Sequence, residues 1–130
     1  MKNMKIKPPF FEVGPKAYFC GERAVELGRV AQAASEETGV SVIYTPQLTD
    51  LALVSREVKG LYLCAQHMDP IPMGKGQGSI LPEAVKAAGA RCVMLNHAER
   101  PMTLENLCKA VGRAREIGLM SVVCASSCAE

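Results

Sequence analysis

A chain of 130 residues, 48% hydrophobic and 22% charged, is long enough for one domain with a core of its own and too apolar to be disordered. Surface scaling gives a compact chain of this size a folded area near ~6,700 Å², about a third of the unfolded area. Net charge is only +2, there is no Trp, and aromatic residues make up 5%. No basic stripe tracks a phosphate backbone and no apolar run spans a bilayer, which argues against nucleic acid and membrane partners.

The chain reads as alternating strands and helices. Residues 1–7 are basic like the start of a signal peptide, but they run into Pro8-Pro9-Phe10-Phe11-Glu12 with no apolar stretch behind them. Phe10 to Val13 is a short first strand, ended by Gly14-Pro15-Lys16. Ala24, Leu27, Ala31 and Ala34 then recur at helical spacing up to Gly39. Val40 to Tyr44 is a β-branched second strand, and Asp50 is placed to cap a short helix carrying Leu51, Val54 and Val58. Leu61 to Ala65 is a third strand, followed by a Pro- and Gly-rich loop from Asp69 to Gly78. Pro82 and Gly89 suit the first turn and the stop of a third helix. Cys92 to Leu95 is a fourth strand. Thr103 caps a fourth helix, expected to bury Leu104, Leu107, Cys108, Val111 and Ala114 on one face and to stop at Gly118. Met120 to Cys124 is the fifth strand.

Five strands alternating with four helices predict an α/β fold with a parallel sheet and helical cover, in a single domain over residues 1–130. The strands are continuous apolar runs, as sheets buried on both faces require. Six cysteines could be a disulfide framework, but five lie within or beside apolar segments and none has C-x-x-C spacing. Their placement reads as buried free thiols in a reducing cytoplasm, without a zinc site.

In parallel α/β folds, sites form at the carboxyl ends of strands. Lys16 follows the first strand, Gln47 the second, Gln66 and His67 the third, Asn96, His97 and Glu99 the fourth, and Ser126 the fifth. A lysine, a histidine and a carboxylate converging on one rim read as a chemical site. Singly, each has a plainer reading: Lys16 a solvated loop charge, His97 a core histidine bonded to backbone, Glu99 a surface partner of Arg100 or Lys109. His67-Met68-Asp69 offers two metal ligands without a third. Gly74-Lys75-Gly76-Gln77-Gly78 lacks the spacing of a phosphate-cradling loop and reads as an excursion.

Leu95-Asn96-His97-Ala98-Glu99-Arg100 resembles the histidine-bearing segment of the triosephosphate isomerase family. Ala65 to Pro70, Leu81 to Gly89 and Gly118 to Cys124 are similar to its compact archaeal members, and the resemblance runs from about Phe10 to Cys124. It implies the first five strands and four helices of a (β/α)₈ barrel, which takes about 250 residues in full. It also implies a cofactor-free interconversion of aldose and ketose phosphates through an enediol(ate). His97 would be the electrophile, Lys16 the cation for oxyanion and phosphate, and Glu99 the group orienting Lys16. Gln66 and Asn96 would position the substrate. The loop from Asp69 to Gly78 would reach into a second copy or a complementary barrel half. The family's usual Asn before the lysine is lost in Gly14-Pro15-Lys16, and Ala98 stands where Ser is usual. Both variants look like a branch in which some members handle four-carbon ketose phosphates. The family's catalytic glutamate follows a sixth strand, beyond the segment matched here.

Overall fold

The computed structural model describes residues 5–130, so the first four residues of the basic amino-terminal run lie outside it. Its elements follow the expected order: β1 (Phe10–Val13), α1 (Glu22–Thr38), β2 (Ser41–Tyr44), a 3₁₀ turn (Leu48–Asp50), α2 (Leu51–Glu57), β3 (Tyr62–Ala65), α3 (Pro82–Ala87), β4 (Cys92–Leu95), α4 (Leu104–Ile117) and β5 (Met120–Val123). All five strands pair in parallel and in sequence order, β1-β2-β3-β4-β5. Every carboxyl end therefore lies on one rim.

The two faces of the sheet differ. Val42, Tyr44, Leu63, Ala65, Val93 and Leu95 point outward beneath the helices, in a core that also takes in Val25, Leu51, Val54, Val85 and Ala114. The inner face carries a smaller cluster of Ile43, Cys64 and Cys92, with Tyr62, Met94, Met120 and Val122 against it. The edge strands are open, contrary to the expectation of burial on both faces throughout. Phe10 and Phe11 on β1 are 56% and 64% exposed. The total accessible area of 8112 Å² accordingly exceeds the ~6,700 Å² of a compact chain of this mass.

Tyr44 fixes the first helix over the sheet. Its hydroxyl donates to the Ala24 carbonyl at 2.6 Å. Its ring lies against Gly28, where an added Cβ would come within 3.1 Å of it. Asp50 precedes α2 as expected, yet its side chain makes no capping bond there. It turns back to accept the Gly21 amide at 3.0 Å, tying the start of α1 to the turn before α2.

Thr103 does cap α4, its hydroxyl accepting the Asn106 amide at 3.2 Å, and Gly118 ends the helix in the left-handed conformation. The buried face is not the expected one. Ala110 and Ala114 are buried, Leu107 is half-buried, and Leu104, Cys108 and Val111 face outward, Leu104 at 75% exposure. Small residues let the helix approach β4 and β5 closely, which turns the larger ones away from the sheet.

The thiols also divide. Cys64 and Cys92 are buried and opposite one another in the β3–β4 register, whereas Cys20, Cys108 and Cys128 are exposed and Cys124 is intermediate. All six are free. Sharing its hydrogen with Cys92, together with burial, pushes the Cys64 thiol well up. A thiol-reactive disulfide dye should label three cysteines quickly and Cys124 more slowly. Cys64 and Cys92 should react only after denaturant is added; rapid labelling of all six in the folded chain would contradict this packing.

Burial, and secondarily the charge of Asp50, push the Tyr44 hydroxyl up to about 12. A phenol whose folded pKa is raised contributes stability present below its unfolded value and lost as pH rises through the folded one. Stability should therefore fall between about pH 10 and pH 12. Tyr44→Phe should cost about 1 kcal/mol at neutral pH through the lost hydrogen bond, and should flatten that alkaline fall. Denaturant titrations of both proteins across this range check it.

Candidate functional site

The rim formed by the strand ends holds an open cleft of about 800 Å³. Lys16, Gln66, His67, His97, Glu99 and Arg100 all line it, with Glu12 and Thr45 on its inner wall. Lys16, Gln66, His67, His97 and Glu99, singled out after strands one, three and four, are thus brought together. Gln47 and Ser126 are not; Ser126 is occupied by the Glu130 carboxylate.

Lys16 and Glu99 meet across the cleft from β1 and β4, with Nζ 3.5 Å from Oε2. Both side chains are more than half exposed, so the pair adds little stability and leaves the ammonium available to an anion. The Glu99 partners considered from sequence, Arg100 and Lys109, are engaged otherwise: Lys109 pairs with Glu105, and Arg100 lies along the cleft.

The His97 ring is oriented by backbone. The Glu99 amide donates to Nδ1 at 3.1 Å. In the neutral ring this places the proton on Nε2, which makes that nitrogen a hydrogen-bond donor. Glu99 Oε2 stands 3.7 Å from Nδ1, but the amide already claims that lone pair. The neutral tautomer therefore fits these contacts better than an ion pair.

Two non-glycine residues at the rim adopt left-handed backbone, Lys16 at φ 52° and Asn96 at φ 58°. Such conformations cost of order 1–3 kcal/mol unless the surroundings enforce them, and here each is tied down. The Gln66 amide donates to the Lys16 carbonyl at 2.8 Å and to the Thr45 carbonyl at 3.3 Å, joining three strand ends. Asn96 uses both ends of its amide: Nδ2 donates to the Cys124 carbonyl at 3.0 Å and Oδ1 accepts the Met102 amide at 3.0 Å. It stands behind the cleft, holding the turn that aims His97.

His67 and Asp69 were weak metal candidates in sequence, and among the described residues no group of three metal-ligating side chains occurs. The two act instead on the loop that follows. The Asp69 amide donates to the Ile80 carbonyl at 2.9 Å and Asp69 Oδ2 accepts the Ile80 amide at 2.7 Å, closing the neck of the loop. His67 Nε2 lies 3.2 Å from Oδ1 of Asp69, while its Nδ1 is buried without a partner. Burial opposes the charge of Asp69, but the Ile80 amide, His67 and Arg100 outweigh it and hold the carboxyl below its ordinary range.

Sequence reading missed Glu12 and Thr45. Thr45 donates its hydroxyl to Glu12 Oε1 at 2.5 Å, placing a carboxylate on the inner wall. Glu12 sits inside an apolar run, and only its in-register partner, the inward-facing Ile43, identifies its side of the sheet.

Asn96→Ala should destabilise the chain by about 3–4 kcal/mol, from two lost hydrogen bonds and a left-handed backbone that alanine resists. Asn96→Gly should recover the backbone part and remain about 2 kcal/mol below the parent. Thermal unfolding of the three proteins checks the order; equal loss in both variants would remove the strain component.

The profile described as triosephosphate isomerase matches residues 15–130. The triosephosphate isomerase of Saccharolobus solfataricus is 37% identical over 121 residues, 92% of this chain and 53% of the relative. That of Methanobacterium bryantii is 40% identical over 107 residues, covering 82% of this chain and 47% of the relative. The crystal structure of triosephosphate isomerase from Bartonella henselae superposes with a TM-score of 0.77 at 23% identity, over 90% of this chain and 51% of that one. That likeness shows the fold: five parallel strands with intervening helices, curled as in the amino-terminal part of the barrel. The chain spans about half the length of the curated relatives it matches.

Proposed function

Because the chain belongs to the triosephosphate isomerase family, we propose that it is the amino-terminal part of an aldose–ketose isomerase of small sugar phosphates. The observation that carries this reading is the meeting of Lys16, His97 and Glu99 at the ends of β1 and β4. Glyceraldehyde 3-phosphate and dihydroxyacetone phosphate are the proposed pair. Four-carbon ketose phosphates are the alternative substrates suggested by Gly14-Pro15-Lys16 and Asn96-His97-Ala98.

In this mechanism the Nε2–H of His97 donates to the carbonyl oxygen of the substrate. It stabilises the charge that develops there as the adjacent C–H is deprotonated. A neutral ring suits the role, because a neutral donor can pass a proton between the two enediolate oxygens and be restored. Lys16 supplies the fixed cation for the phosphate and the oxyanion, the kind of preorganised charge that often contributes most to catalysis. Glu99 holds the ammonium over the cleft, Gln66 fixes the turn that carries Lys16, and Asn96 fixes the turn that carries His97 and Glu99. No cofactor or metal is needed for these steps. A carboxylate base and further phosphate contacts come, in this reading, from strands beyond the fifth, supplied by further chain or by a complementary half. The exposed edges of β1 and β5 and the clamped loop after β3 are the surfaces proposed to meet them. No helix among the described residues is long and apolar enough to cross a membrane, and with free thiols we propose a cytoplasmic setting.

A second reading, a phosphate-binding half-barrel without catalysis, is favoured by the open edges of the sheet. A coupled isomerase assay separates the two. The 130-residue chain alone should turn over triose or tetrulose phosphates negligibly. A complete barrel carrying this segment at its amino terminus should be active. His97→Ala should lower kcat by about 10²–10⁴-fold. Lys16→Ala should lower kcat and also raise KM, because phosphate binding weakens with it. Indifference of the complete barrel to both substitutions would show that the family fold is present here without its chemistry.

A further inference from the structure

The Glu12 carboxylate occupies a place that the proposed chemistry does not use. It lies on the inner face of the sheet, at the end of β1 and on the wall of the cleft that Lys16 and His97 also line. Thr45 holds Oε1 at 2.5 Å. The carboxylate lies over Gly14: a Cβ added there would stand 2.7 Å from Oε1 and 3.1 Å from Oε2. A side chain at position 14 would therefore push the carboxylate aside. Among the described residues no ion pair involves Glu12. Its charge is felt inside the sheet, where burial first and Glu12 second push the Cys124 thiol up.

The cleft is thus mixed in sign, with Lys16 and Arg100 set against Glu12 and Glu99. A dianionic phosphate is drawn to the cations and repelled by the carboxylates. An ionised carboxylate accepts hydrogen bonds and donates none. It suits neutral hydroxyl groups and disfavours a second anion.

We propose that Glu12 is a specificity-determining residue, accepting a hydroxyl of the substrate's carbon chain and selecting polyhydroxylated phosphate esters over other phosphates. This rests on the sugar-phosphate reading above. Thr45 and Gly14 are its positioning residues, the first by its hydrogen bond and the second by leaving the space open.

The test compares two esters with the same phosphate, glycerol 1-phosphate and n-propyl phosphate. Each is titrated into an isotopically labelled complete barrel carrying this segment at its amino terminus, and followed by amide shifts. The barrel should bind glycerol 1-phosphate at least about tenfold more tightly, the usual scale of a hydrogen bond to a charged group. Glu12→Gln should reduce that ratio to within about twofold and leave propyl phosphate binding equal or tighter, since a repelling charge is gone. Thr45→Val and Gly14→Ala should each reduce the ratio by a smaller factor, and they serve as the test if Glu12→Gln does not fold. A ratio near one in the parent barrel, or a ratio preserved in Glu12→Gln, would overturn the role of Glu12 alone. Failure of the complete barrel to bind either ester would overturn the sugar-phosphate reading itself.

Discussion

Parallel pairing of five consecutive strands is the constraint on which the rest depends. Because each strand runs the same way and pairs with its neighbour in sequence, all the turns that follow strands open on one rim. Lys16 and Glu99 are 83 positions apart in sequence, yet they stand 3.5 Å apart in the cleft. No local signal arranges this. It follows from right-handed crossovers, each of which returns the chain to the same starting edge. The helices supply the enforcement, and Tyr44 shows how: one side chain packs beneath α1, bonds its backbone and requires Gly28 opposite.

The strained residues of the rim lie where chemistry is proposed. Lys16 and Asn96 both take left-handed backbone without being glycine, and both project from turns tied to other strand ends. The Gln66 amide spans from β3 to the turns after β1 and β2. Asn96 spans from β4 to the end of β5 and the approach to α4. Each local cost is thus offset by bonds between elements, so these turns hold their shape only while neighbouring strands are paired. A substitution that loosens β5 should therefore disturb His97 through Asn96 without touching the ring.

Much of the architecture was legible in the sequence because strand and helix signals there are local. The five apolar runs, the Thr103 cap and the Gly39 and Gly118 stops are each decided within a few residues. What was not legible depends on which side of an element faces what. The face of α4 was misread because periodicity favours the large apolar residues, whereas close approach to β4 and β5 favours Ala110 and Ala114. Asp50 looked like a cap because its position suits one, but the Gly21 amide, 29 positions away, competes for it. The grouping of Lys16, Gln66, His97 and Glu99 could be anticipated from the strand-end rule and from family resemblance. Glu12 could not, because a single acidic residue in a four-residue apolar run carries no sign of which face it takes. The cysteines failed similarly: Cys20 and Cys108 neighbour apolar residues in sequence while facing outward in space.

The inequality of the two faces bears on how the fold and the site relate. Among the described residues, nineteen buried side chains form the outer core beneath the helices and three form the inner cluster. Hydrophobic stabilisation scales with apolar area removed from water, so the driving force for folding lies mainly on the outer face. The inner face, which carries Glu12, Thr45 and the wall of the cleft, contributes less, and there the Thr45 hydroxyl holds the Glu12 carboxylate. A sheet built this way can form from local βα units, with its core on the helix-covered side. The same division explains why a carboxylate is tolerated in β1. On the outer face it would be sealed under α1, whereas on the inner face it meets the hydroxyl of Thr45 and the open cleft.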